Sequence, residues 1–333
     1  MPAPFRLGFL SHLHGPQEAS QHYRDYVELF VAAEELGFDS AWVAQHHFDA
    51  SAGRLPSPFT FLAAVAERTS RIRLGTAVVT LPLEDPLRVA EDAAVLDALS
   101  GGRVELGVGS GADPAVFTAF GKDLGRRRED NSAGVATLAA AFAGEPVGGT
   151  EFRLHPAAPG LAGRLWQAAF SQDGARYVGA AGSRLLLNRA TFGSEGRTDE
   201  VQAPWAEAYL DAYPGPADEV RIGLSRGVYP AASRRAAKAA IEAPVLAMAE
   251  RMIRAGRFPA GLAAEEYFER MHISYGSPDQ VAERLATDRV LPLATELIVQ
   301  FSPAAPALDE AIAALELLAT RVAPALGWKP ETR

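Results

Sequence analysis

Short apolar runs alternate with helix-patterned stretches about eight times along this chain, which restricts it to an α/β architecture around a parallel sheet. Residues 5–10 (FRLGFL) read as the first strand, ending at Ser11-His12-Leu13-His14. Residues 20–36 then carry Tyr23, Val27, Phe30 and Val31 at helical spacing, stopped by Gly37 as a C′ glycine. Further strands read at 40–44, 72–80, 104–108, 165–170, 185–188, 220–225 and 296–301. Helices read at about 58–70, 86–99, 131–143 and 307–325, and GGTEFRLHPAAPG reads as a small hairpin excursion. A TIM barrel and a doubly wound sheet share this pattern. Even spacing with no break in composition favours one closed (β/α)8 TIM barrel with insertions, a single domain over residues 1–333.

Composition narrows the chemistry. With 333 residues, 48% of them hydrophobic, the chain can bury a sizeable core. A net charge of −9 argues against nucleic acid or an anionic membrane as the main partner. No cysteine is present, so disulfides, thiolate catalysis and Cys-ligated metals are excluded. The N-terminus lacks a charged n-region and an A-x-A site, and no apolar run is long enough to span a bilayer, so a cytoplasmic protein is expected.

In such a barrel the chemistry sits where strands end, on the C-terminal rim. The rim segments are 11–14, 45–48, 77–80, 107–113, 171–174, 188–191, 225–229 and 300–302. Four of the seven histidines fall on the first two, namely His12, His14, His46 and His47. A zinc site would use His-x-His after the first strand, because side chains at i and i+2 share a face. It would also need ligands from later strands, and those ending near 110, 171 and 189 offer no His or Asp in ligand position, so no metal is expected. Gly107-Val-Gly109-Ser-Gly111-Ala112 loosely fits a dinucleotide fingerprint, but no strand follows within the spacing that fold requires. Its glycines still allow close backbone approach to a ring or phosphate, or simply make a tight turn. Ser171 to Gly174 opens a helix, as an N-cap or as a phosphate site.

Together these segments resemble the bacterial luciferase-like flavin monooxygenases. The likeness is carried by GFDSAWVAQHHF (37–48), by IRLGTAVVTLPLEDPLRVAEDAAVLDALSGGRVELGVGSG (72–111), and by YGSPDQVAERL (275–285) with ELIVQF after it. The resemblance implies a barrel that binds reduced FMN supplied by a separate flavin reductase. It implies a homodimer packed through helices near the second and third strands, and oxygenation of a small organic substrate through a C4a-hydroperoxide. By the same resemblance, His46 is the histidine beside the flavin, and Gln45 stands where the family often has Glu. Ala77 and Val78 are the pair joined by a non-prolyl cis peptide against the ring. Gly109, Ser110 and Gly111 line the cofactor, and Ser171 and Gly174 are phosphate positions. Ser110 departs from the family, many members of which place an arginine there. Arg189 is the first substitute, with Arg126, Arg127 and Arg128 behind it.

That departure keeps an F420-dependent oxidoreductase on the same barrel as the alternative, with a non-catalytic flavin-binding barrel behind it. Oxygen chemistry on reduced flavin needs an apolar, closable wall, for which Phe9, Trp42, Phe48, Phe59 and Phe117 are the candidates. A lid insertion is expected at about 256–275, with Phe258, Tyr267 and Phe268 facing the pocket.

Overall fold

The computed structural model describes residues 5–191, 194 and 196–330. In chain order its strands are β1 (Arg6–Ser11), β2 (Ser40–Val43), β3 (Arg73–Thr76), β4 (Val79–Thr80), β5 (Val104–Gly109), β6 (Leu165–Ala169), β7 (Arg184–Leu187), β8 (Ile222–Pro230), β9 (Ile273–Gly276) and β10 (Glu296–Gln300). The main helices are α1 (Ala19–Glu35), α2 (Pro58–Ala66), α3 (Pro86–Leu99), α4 (Pro114–Ala119), α5 (Arg127–Phe142), α6 (Gln172–Ala180), α7 (Thr198–Ala212), α8 (Arg234–Arg254), α9 (Ala264–Arg270), α10 (Pro278–Ala286) and α11 (Leu308–Leu317).

All strand pairings are parallel, and β10 pairs with both β1 and β8. The sheet therefore closes as an eight-stranded barrel, with β3 and β4 sharing one place. The strands are buried along nearly their whole length, as expected of parallel strands under a ring of helices. Local signals set the helix ends. Asp85 accepts hydrogen bonds from the Leu87 and Arg88 N–H groups ahead of Pro86, Ser277 and Gln280 form a reciprocal capping box, and Gly37 (φ +90°) stops α1. No helix among the described residues is long and apolar enough to cross a membrane.

The eight strands expected from sequence are the eight of the barrel. A ninth element, β9, was not expected. It pairs with the far end of β8, from Gly227 opposite Ile273 to Pro230 opposite Gly276, and so carries β8 beyond the expected 225. The hairpin expected in GGTEFRLHPAAPG is absent. That stretch is a turn closed by the Val147 N–H on the Phe152 carbonyl at 2.8 Å, then irregular chain into a short 3-10 turn from Pro159. With its threonine, glycines and prolines, it pairs with no other strand.

The barrel interior is layered. Leu10, Trp42, Trp166, Leu186 and Ile298 fill the middle, and the two indoles meet edge to face at 5.5 Å. Gly75 leaves room for Trp42, because a Cβ there would lie 2.1 Å from the indole. Beneath them is a polar layer. Glu105 takes Arg73, Arg184 and the Trp166 N–H, while Glu296 accepts from the Ser40 hydroxyl and, at 2.8 Å, from the Trp42 N–H.

Burial first, then Glu105 nearby, pushes the Glu296 carboxyl up from 4.5 to about 7. Between those values the folded state holds a proton that the unfolded state has lost, so this group's contribution falls as pH rises through the window. Glu296→Gln, which stays neutral, should gain about 3 kcal/mol on the parent between pH 4.5 and pH 8. Denaturant melts of both proteins across that range measure it. Parallel curves would show that Glu296 ionises normally.

Candidate functional site

Alternation along the strands decides which side chains reach the C-terminal mouth. Continuing the parity of Leu10, Trp42, Leu186 and Ile298 by two residues brings His12, Ala44, Asn188 and Gln300 inward. The same parity brings in Ala77, Gly109, Ala168 and Ser225, and one step higher are His14 and His46. Most of the inward residues in this top layer are small. Ala77, Val78 and Ala168 are only half-buried although they pack against the barrel core, so the mouth is an open cup with a floor of methyl groups. A Cβ added at Gly109 would lie 2.8 Å from Val78 and 3.6 Å from the Ala168 methyl. The missing side chain keeps that floor flat, and a flat ring system fits such a floor. The Ala77–Val78 peptide is cis, as the resemblance implied.

One wall of the cup is imidazole. The His12 and His46 rings meet edge to edge, centroids 5.1 Å apart, with His12 Nδ1 2.9 Å from His46 Nε2, and the His14 ring lies 5.3 Å from that of His12. His12 Nε2 lies 3.1 Å from Gln300 Oε1, and the Gln300 amide donates to Ser225 Oγ at 2.6 Å. Burial, then neighbouring His47, lowers His46 from 6.5 to about 4, against an opposing pull from Asp49 and Asp113. His14 is likewise lowered to about 4 by burial, His46 and Arg189. His12 is held well below 6.5 by burial and by the charges of His46, His14 and Arg189. The wall is neutral at pH 7.

The other expected residues divide. Arg189 is buried, 4% exposed, and burial lowers it to about 10, still a cation at neutral pH. Its charge acts on His12 and His14, which sets it in the mouth. Ser171 is exposed, and its hydroxyl accepts from the Gly174 N–H at 3.1 Å, the N-cap of α6. Ala169 pairs with Leu187, so Ser171 and Arg189 stand two residues beyond partnered positions on adjacent strands. Asp173 occupies the first turn of α6, and its charge there competes with a bound anion. Ser110 and Gly111 are half-buried on the β5 end, and Gly111 takes a left-handed φ of +66°. The Gln45 amide donates to Glu84 at 2.7 Å and to the Pro56 carbonyl at 3.2 Å, and accepts from the Thr80 N–H at 2.7 Å. Gln45 thus clamps the β2 loop to the end of β4. Arg126 pairs with Glu129 and Asp130 on the surface.

Of the expected wall aromatics, Phe9, Trp42 and Phe117 lie in the interior, while Phe48 is 78% exposed on the lip beside Phe120, centroids 5.5 Å apart. Phe258, Tyr267 and Phe268, expected to face the pocket, pack into the hydrophobic core instead, because α9 lies between α8 and β9. A cavity of about 40 Å³ adjoins the histidine wall between α1 and α11, bounded by Leu10, His12, His14, His22, Tyr26 and Phe301. It holds a few waters at most. No group of three or more His, Asp or Glu among the described residues is arranged to hold a metal ion. Sequence reasoning placed His12 and Gln300 on the rim without a role. The parity they share with Leu10 and Ile298 was the signal that both point inward.

The luciferase-like monooxygenase family profile matches residues 5–295. The chain is 36% identical over 216 residues to the 4-hydroxyprotoasukamycin monooxygenase of Streptomyces nodosus subsp. asukaensis, covering 60% of this chain and 57% of that one. It is 45% identical over 91 residues to an F420-dependent glucose-6-phosphate dehydrogenase of Amycolatopsis mediterranei (strain U-32), covering 26% of this chain and 27% of that one. The crystal structure of monooxygenase RslO1 from Streptomyces bottropensis superposes with a TM-score of 0.79 at 26% identity, covering 96% of this chain and 99% of that one. The chain matches roughly a third to just over half of the length of the curated relatives heading the comparison.

Proposed function

The chain belongs to the luciferase-like monooxygenase family, and from that premise we propose that it is a flavin-dependent monooxygenase using reduced FMN and O₂ on a small organic substrate. The observation that carries this reading is the cup itself, a methyl-floored mouth beside a neutral imidazole wall. Two of its relatives named as monooxygenases support it. When bound, reduced flavin would supply the electrons and the reaction with O₂. The chain's own part is to seat the ring on Ala77, Val78, Gly109 and Ala168 and to present Ser110, Ser171 and Gly174 toward the phosphate. His46 would offer a proton-exchanging nitrogen at the wall, with Phe48 and Phe120 on the lip limiting water. A separate reductase would deliver the reduced cofactor. We read the protein as a homodimer through α3, where Val95 and Leu99 expose apolar surface.

The F420-dependent relative supports a second reading, hydride transfer to or from a deazaflavin with no oxygen activation. Titration with FMN, reduced FMN and F420, followed by O₂ uptake in the presence of a reductase, separates the two. The proposal expects reduced FMN to bind and substrate-dependent O₂ uptake to follow. Binding of F420 alone, with no O₂ uptake, would reverse it.

Arg189 supplies a finer test. Removing one charge-assisted contact costs roughly 1.5–3 kcal/mol, so Arg189→Ala should weaken FMN roughly ten- to a hundredfold. Riboflavin, lacking the phosphate, should bind parent and variant alike. Equal weakening of both ligands would assign Arg189 to the ring or to the fold.

A further inference from the structure

The hydrogen bonds behind His46 determine which of its nitrogens carries the proton. The chain begins at Ser225, an inward residue of β8 that is 7% exposed, and passes to Gln300 on β10, 1% exposed. Gln300 uses its amide N–H toward Ser225 Oγ at 2.6 Å, which leaves Oε1 turned to His12 Nε2 at 3.1 Å. An amide oxygen only accepts, so His12 carries its proton on Nε2. His12 is neutral, its protonation opposed by burial and by the neighbouring His46, His14 and Arg189. Its Nδ1 is therefore a bare lone pair. That lone pair faces His46 Nε2 at 2.9 Å, so His46 must donate from Nε2, and its own Nδ1 is left unprotonated.

We propose that Gln300 and His12 are positioning residues that fix His46 as the Nε2–H tautomer and so reserve Nδ1 as the proton-accepting atom of the site. Ser225, Gln300, His12 and His46 come from four different barrel strands or their ends, so the closed barrel itself brings the relay together. Arriving at Nδ1, a proton makes an imidazolium whose Nε2–H still donates to His12, and His12 in turn still donates to Gln300. No bond in the chain has to break or reverse. The tautomer stands on the hydrogen bonds alone. The use of Nδ1 in catalysis rests on the proposed monooxygenase reading.

The test separates the two. Long-range ¹H–¹⁵N correlation spectra of histidine-labelled protein without cofactor, at pH 7.5, report the protonated nitrogen of each ring directly. Loss of a signal set in His46→Asn assigns His46. The expected parent spectrum shows His46 protonated on Nε2 and His12 likewise. Gln300→Glu, whose carboxylate still accepts from His12, should keep both patterns. Gln300→Leu, which removes the acceptor, should move the His12 and His46 shifts toward tautomer averages. If the Leu variant fails to fold, the parent and Glu spectra still decide. His46 protonated on Nδ1 in the parent, or His46 shifts unchanged by a folded Gln300→Leu, would overturn the proposal. Under the proposed function, turnover should fall at least tenfold in Gln300→Leu at unchanged flavin affinity and recover in Gln300→Glu. A correct tautomer with unaltered turnover would refute the catalytic role of Nδ1 while leaving the relay in place.

Discussion

Replacement of His46 by alanine is expected to lower coupled oxygenation by roughly 10²–10⁴, the usual scale for a lost acid–base group, while flavin affinity changes little. The imidazole stands at the cup wall rather than on its floor, so its loss removes proton exchange and leaves the ring's seat intact. Held at about 4 by burial and His47, His46 is neutral at every pH above about 5. A step that needs the neutral ring should therefore run at constant rate from pH 6 to pH 9 as far as this group decides it. The same depression bears on stability. The folded state resists a proton that the unfolded chain takes up near 6.5, so stability is lost as pH falls from 6.5 toward 4. His46→Ala should unfold less readily in acid than the parent, relative to its stability at pH 7. His47 is the control. It meets Phe120 edge to face at 4.9 Å, away from the His12 relay, so His47→Ala should act on stability and leave the rate near the parent's. Product formed per O₂ consumed is the measurement, and an unchanged ratio in His46→Ala would make the residue a packing group.

Much of this architecture was legible because parallel barrels write themselves in a simple code. Buried strands such as those at 104–108 and 296–301 are mostly apolar runs, broken only by the inward Glu105, Glu296 and Gln300, and Asp85-Pro86 or Ser277-Pro278 mark helix starts through capping that is purely local. β9 was not legible for the opposite reason. Four residues, Ile273 to Gly276, become a strand only because β8 runs past the barrel and offers a free edge, which no local window reveals. The site divides similarly. His46 and the small residues at Ala77, Val78 and Gly109 stood out through the family resemblance. Gln45 did not show its role, because the Thr80 N–H, Glu84 and Pro56 that consume its amide lie 11 to 39 residues away. The facing of the aromatics in 256–275 was not legible, for a physical reason. Aromatic residues between glycines suit both a mobile cover and a docked helix, and only the neighbours α8 and β9 decide that Tyr267 and Phe268 face the core.

Filling the floor of the cup should weaken cofactor binding without harming the fold. Ala168 is half-buried on β6, points into the mouth, and neighbours Gly109 and Val78 across the barrel floor. A leucine there extends three carbons into the space that a flat ring would occupy, and gains contact with apolar neighbours such as Val78 and Leu186, so folding should be neutral or slightly improved. The ligand bears the cost. Overpacking a fitted site costs roughly 1–3 kcal/mol, and every 1.4 kcal/mol is a factor of ten, so Ala168→Leu should weaken the flavin roughly five- to a hundredfold. Unlike Arg189→Ala, it should weaken FMN and riboflavin equally, because the obstruction lies under the ring they share. Ala168→Gly should bind both at least as well as the parent. Fluorescence quenching of either flavin on titration with each variant measures the affinities, and thermal melts of the same samples confirm the fold. If Ala168→Leu binds both flavins as the parent does, the ring does not rest on this floor, and neither His46 nor the relay behind it adjoins the chemistry.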